Sequence, residues 1–166
     1  MIVAAGKITT HANQIAVGHR MNVIRPETLQ ALVELKIKYA NSIELSDLKV
    51  YLTRSPFGTE ADTKINGLIQ QWEADFKRKA QYIQQRRNII HTIRELAEQP
   101  LYKSKRAFVT VEIRAHHNAK YQPLITDEAT QEMLRELSSP LAGYLGCKQL
   151  PGDQERFYFC KEMPDT

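Results

Sequence analysis

Thr59 to Gln99 reads TEADTKINGLIQQWEADFKRKAQYIQQRRNIIHTIRELAEQ, and the fold turns on this stretch. Apolar residues recur at steps of three and four, at Ile65, Ile69, Trp72 and Phe76, then Ile83, Ile90, Ile93 and Ala97. That spacing marks a seam down one side of a helix, close to the repeat of about 3.5 residues that coiled coils use. Between the seam positions lie Gln, Glu, Asp, Lys and Arg, which suit both water and helix. No proline occurs from Phe57 to Gln99, and Pro100 supplies a stop, because the residue before a proline is pushed out of the helical region. Thr59 or Thr63 can cap the front, with Glu60 and Asp62 at the positive end of the dipole. One helix over about 60–98 is therefore expected, roughly 55–60 Å long at about 1.5 Å per residue. The turn-type pair Asn66-Gly67 leaves open a later start near Leu68.

A seam that long needs cover, from other helices of the chain or from a second copy. Ile65, Ile69, Trp72, Phe76, Ile83, Ile90 and Ile93 are accordingly the expected dimer or partner surface. Lys79 and Arg86 fall on the same seam. Their stems can lie along apolar surface, or they can fix the register of a dimer.

Outward from this helix, the chain of 166 residues is sized for a single domain. With 42% hydrophobic and 25% charged residues it has an ordinary globular composition. No run of about 18 apolar residues offers a membrane span, and the first residues do not read as a secretion signal. Cys147 and Cys160 are expected as reduced thiols in the core. They flank a turn at Pro151-Gly152-Asp153 whose tight pairing sets Cys147 opposite a residue near Phe157, not opposite Cys160. A cytoplasmic location follows from that reading.

Pro26 opens a helix with Leu29, Leu32, Val33, Ile37 and Ala40 inward, ended by Asn41-Ser42. A shorter helix, capped by Ser46 or Asp47, runs to Thr53, and Ser55-Pro56-Phe57-Gly58 breaks the chain before the long helix. Helix, short helix, turn and helix is also the order of a helix-turn-helix, although the connecting segment is long for one. Ahead of Pro26, Ile2–Thr9 and Gln14–Val23 suggest a hairpin turning at His11-Ala12-Asn13. Gly6-Lys7-Ile8-Thr9 lacks the upstream glycine and the hydroxyl residue of a phosphate loop.

Beyond Pro100, Ala107, Val109, Val111 and Ile113 alternate and predict a strand over Ala107–Arg114. His116 to Lys120 reads as a loop. Thr126 caps a helix with Ala129, Met133, Leu134 and Leu137 inward, closed by Ser138-Ser139-Pro140. Two short strands follow, about Tyr144–Leu150 and Arg156–Cys160. The class is thus α+β: a helical N-terminal half, about 26–99, dominated by the long helix, then a β-α-β-β segment over about 106–162 forming a small antiparallel sheet. An N-terminal hairpin could join it.

Charge is segregated. From Lys77 to Arg106 there are nine basic residues against Glu95 and Glu98, while the whole chain carries a net +4. Such a segment suits nucleic acid or an acidic protein partner. Lys79, Arg86, Arg87, Arg94, Lys103, Lys105 and Arg106 are the candidate nucleic-acid-binding residues, with Tyr82 and Tyr102 beside them as stacking candidates. The expected function is non-enzymatic binding of nucleic acid by a dimer, with a protein–protein adaptor as the alternative. A metal-dependent phosphodiesterase using Glu112 and His116, which share a face of the expected strand, stands third, since no second acid accompanies them. His11, His19, His116, His117 and the two cysteines lack the spacing of a zinc site. No cofactor or metal is called for.

Overall fold

The computed structural model describes residues 1–39, 48–49, 52–53, 56–102, 104–152 and 154–164. Its elements are β1 (Ile2–Val3), α1 (Thr10–Gly18), β2 (Val23–Ile24), α2 (Pro26–Lys38), α3 (Glu60–Glu98), α4 (Thr110–Lys120), α5 (Asp127–Leu137), β3 (Leu145–Leu150) and β4 (Gln154–Phe159). A single 3-10 turn, Pro100–Tyr102, follows α3. The α+β class, the long helix and the antiparallel C-terminal hairpin are as expected. Among the described residues no helix is long and apolar enough to cross a membrane.

The chain divides into two compact units, Met1–Arg78 and Lys79–Thr166. In the first, β1 and β2 pair in parallel, Ile2 with Val23 and Val3 with Ile24. The expected N-terminal hairpin is therefore absent. Parallel neighbours need a crossover, and α1 supplies it, capped by Thr9 Oγ1, which accepts from the Ala12 N–H at 3.2 Å. The helix takes Gln14 to Val17 out of the expected second strand.

Pro26 opens α2 as read, but the buried stripe is rotated. Thr28 and Leu35 are buried, Leu29 and Leu32 half-buried, while Val33 and Ile37 face water. Asp62 sets that rotation. Its Oδ1 accepts from the Arg25 N–H at 2.8 Å and from the Thr28 hydroxyl at 2.7 Å, so an acid of α3 caps α2. Asn66 donates to Thr28 Oγ1 at 2.8 Å, and α3 passes through Asn66-Gly67 without a break. Ile65 and Ile69 pack against Ile24, Leu35 and Leu48, with Trp72 half-buried beside them. Phe76 stacks on Tyr39 with ring centroids 4.1 Å apart. Ala40, the Asn41-Ser42 stop, Ser55 and most of the short helix expected up to Thr53 lie outside the described residues.

In the second unit the expected strand over Ala107–Arg114 is replaced by α4. Phe108 forms an isolated bridge, exchanging both backbone hydrogen bonds with Phe157 of β4 at 2.8 and 2.9 Å, and Val109 stays extended as the N-cap of α4. The C-terminal order is thus bridge, helix, helix, hairpin, not β-α-β-β. The switch has a local cause. Glu112 Oε2 accepts from the Val109 N–H at 3.2 Å, capping a helix that buries Ile113 and His117 at a four-residue spacing. Thr126 caps α5 as expected, and Met133, Leu134 and Leu137 are buried.

The core of this unit joins Ile89, Ile90, Ile93 and Leu96 of α3 to Phe108, Ile113, Leu134, Leu137, Leu145 and Phe157. Fully burying each such side chain stabilises by about 1.5–3 kcal/mol. β3 and β4 pair with Cys147 opposite Phe157. That register agrees with the sequence, but both cysteines are free and exposed, not core thiols.

Candidate nucleic-acid interface

The seam residues find cover within each unit. Ile65 and Ile69 are buried in the first and Ile90 and Ile93 in the second. Ile83 alone among them is exposed, at 40%.

The basic residues are spread over several roles. Arg86 is half-buried, with Nε 3.9 Å from Glu136 and its guanidinium over the Tyr82 ring at 5.8 Å. Arg87 donates to the Pro164 carbonyl at 2.9 Å. Arg94 pairs with Glu162 at 2.6 Å and Glu98 at 3.6 Å. Lys105 pairs with Glu112 at 2.5 Å. Lys79 and Arg106 are exposed and make no ion pair among the described residues. Lys103 lies outside the described residues. The structure therefore does not gather this segment into one free cationic surface. Carboxylates at positions 112, 136 and 162 pair with three of its members.

Tyr82 and Tyr102 sit at the edge of the core. The Tyr82 hydroxyl donates to Glu136 at 2.7 Å, and burial together with that carboxylate pushes its pKa up to about 12. Tyr102 meets Phe108 edge-on at 5.7 Å and His116 at 6.4 Å. Glu112 is engaged as the α4 cap and as the partner of Lys105. Burial raises its pKa, but the Lys105 and Val109 hydrogen bonds outweigh this and lower it overall. No group of three or more His, Cys, Asp and Glu side chains fit to hold a metal occurs among the described residues.

Sequence reading missed the outer face of the hairpin. Side chains alternate along a strand, so Gly146, Lys148 and Leu150 of β3 share one face with Gln154, Arg156 and Tyr158 of β4. The other face carries Leu145 and Phe157 into the core. In register, Lys148 stands opposite Arg156 and Gly146 opposite Tyr158. A Cβ at Gly146 would fall on the Tyr158 ring, so glycine lets the ring lie across β3. Of the strand residues on this face, two are cations, one is an aromatic ring and none is a carboxylate, while Glu112 of α4 lies near Arg156. The available signal was the Cys147–Phe157 register, which fixes these pairs as well.

His117 is 1% exposed. Its Nδ1 lies 3.1 Å from Asn118 Oδ1, and its Nε2 is buried with no hydrogen-bond partner among the described residues. Asn118 in turn bonds both backbone groups of Ile125, donating to the carbonyl at 2.9 Å and accepting from the N–H at 3.0 Å, which ties α4 to the start of α5. Burial lowers the His117 pKa, with the Asn118 bond opposing. The folded state then binds fewer protons than the unfolded chain, so stability rises with pH in the window between the folded pKa and about 6.5. Stability should fall as pH drops below about 6.5 and show no His117 contribution above it. Urea midpoints at several pH values, with the protonation of the His117 ring followed by NMR, check this.

No match to this chain was found among protein-family models, curated proteins or solved structures.

Proposed function

We propose that the chain is a non-enzymatic nucleic-acid-binding protein that contacts the sugar–phosphate backbone through its second unit. The observation that carries this is the order of that unit: the end of α3, the Phe108 bridge to β4, α4, α5 and the β3–β4 hairpin. Two helices joined by the six residues 121–126 and flanked by a hairpin share the element order of a helix-turn-helix, with a longer connection than its usual turn, and the functional step from it is a fold-level analogy. The second helix of such a pair usually enters the major groove. Here α5 carries Asp127, Glu128, Glu132 and Glu136 against Arg135 alone, which phosphates would repel. Base reading by α5 is therefore excluded from the proposal, and the binding is to backbone and tolerant of sequence.

Fluorescence anisotropy with labelled duplex and single-stranded oligonucleotides at several salt concentrations tests this. Affinity should fall linearly with salt in a log–log plot. The acidic exposed side of α5, with the ion pairing of Arg86, Arg94 and Lys105, favours a second reading, a protein adaptor with a basic partner. No binding of either probe at about 50 mM salt, where phosphate attraction is strong, would transfer the case to the adaptor.

Neither reading needs a dimer, because the seam is filled within each unit except near Ile83. Sedimentation equilibrium at micromolar concentration should return the mass of one chain. Twice that mass would mean that the exposed flank of α3 around Ile83 pairs two copies. We place the protein in the cytoplasm, where two free, exposed thiols stay reduced.

A further inference from the structure

We propose that the outer face of the β3–β4 hairpin is a binding surface for single-stranded nucleic acid, with Lys148 and Arg156 on the phosphates and Tyr158 as a platform for one base. This rests on the nucleic-acid reading above and adds the surface and the form of the ligand. Lys148 and Arg156 are directly opposed across the two strands. Like charges so placed repel at a Cβ separation of about 4.5–5.5 Å, and an anion between them relieves the repulsion. Neither makes an ion pair among the described residues, and the Arg156 Nε is buried without a hydrogen-bond partner. Glu112 lies near enough to feel the Arg156 charge, but its two oxygens already serve Lys105 and the Val109 N–H. Glu155, the acid of β4, points to the other face, where Arg135 takes it at 3.1 Å.

The aromatic ring decides the form of the ligand. Tyr158 lies across Gly146 and keeps 37% of its surface exposed. An exposed ring beside two cations matches the way single strands are held, by backbone charge and by stacking. Bases in a duplex are already stacked on each other and gain nothing from such a ring. Gln154 adds an uncharged hydrogen-bonding group on the same face.

The test uses the full chain with a fluorescein-labelled 15-residue oligothymidine and a 15-base-pair duplex. The wild type should bind the single strand more tightly. Lys148→Gln with Arg156→Gln should lower the log–log salt slope on the single strand by about 1.4, from about 0.7 per phosphate contact. Tyr158→Ala should weaken single-strand binding by about 5- to 150-fold, the range that corresponds to about 1–3 kcal/mol for one stacked base, while Tyr158→Phe should bind as wild type. Circular dichroism checks that each variant is folded, and the phenylalanine variant separates stacking from hairpin integrity. If the wild type binds but the lysine–arginine variant keeps its slope, this surface is wrong and the nucleic-acid reading stands. A duplex preference that Tyr158→Ala leaves unchanged overturns the single-strand assignment. If the wild type binds neither probe, both proposals fall together.

Discussion

Phe157→Ala should destabilise the second unit by about 3–5 kcal/mol. Phe157 is fully buried, its backbone holds Phe108 by two hydrogen bonds, and its ring belongs to one core with side chains of α3, α4, α5 and β3. A cavity opens in the core that these elements share, and a backbone held by paired hydrogen bonds has little freedom to collapse into it. Urea unfolding followed by circular dichroism should show the loss as a lowered midpoint. A cost below about 1 kcal/mol would mean that Phe157 is not at the centre of this core.

Asp62→Ala should be the most damaging change to a polar side chain in the first unit, at about 2–3 kcal/mol. It leaves the Arg25 N–H and the Thr28 hydroxyl without their acceptor, and Thr28 is buried. The Arg25 guanidinium contributes little, since its side chain is 76% exposed and its Nε stands 3.7 Å from the carboxylate. Asp62→Asn keeps the shape and one acceptor oxygen, so it should recover more than half of the loss. Equal costs for the two substitutions would point to charge, not capping, as the source of the effect.

How much of this was legible in the sequence depended on whether one periodicity could be mistaken for another. The long helix was readable because its apolar spacing repeats over many turns and Pro100 ends it. The α5 helix was readable because Thr126, Asp127 and Glu128 make a clear start. Around Val109 two periods coincide: Val109, Val111 and Ile113 alternate as a strand would, yet Ile113 and His117 lie four apart as a helix requires. A histidine that is fully buried does not register as an apolar position, so the helical pattern stayed hidden. The parallel β1–β2 pair was not readable because two-residue strands carry almost no pattern, and their pairing depends on α1 between them.

The charge count along the chain left out the partners that the fold supplies. Nine basic residues in one segment suggested a field, but Glu112, Glu136 and Glu162 reach them from other elements, and counting along the chain cannot see a fold. The hairpin face was within reach. The register that put Cys147 opposite Phe157 also puts Lys148 opposite Arg156, and the reading stopped at the cysteines.

An NMR titration of the isotope-labelled full chain with a short unlabelled oligothymidine at low salt tests whether the second unit holds single-stranded nucleic acid on its hairpin. The backbone amides with the largest shifts should cluster on residues 146–150 and 154–158, while those of α5 and of the first unit stay in place. Shifts confined to residues 1–78, or a spectrum that does not change at saturating oligonucleotide, would contradict it.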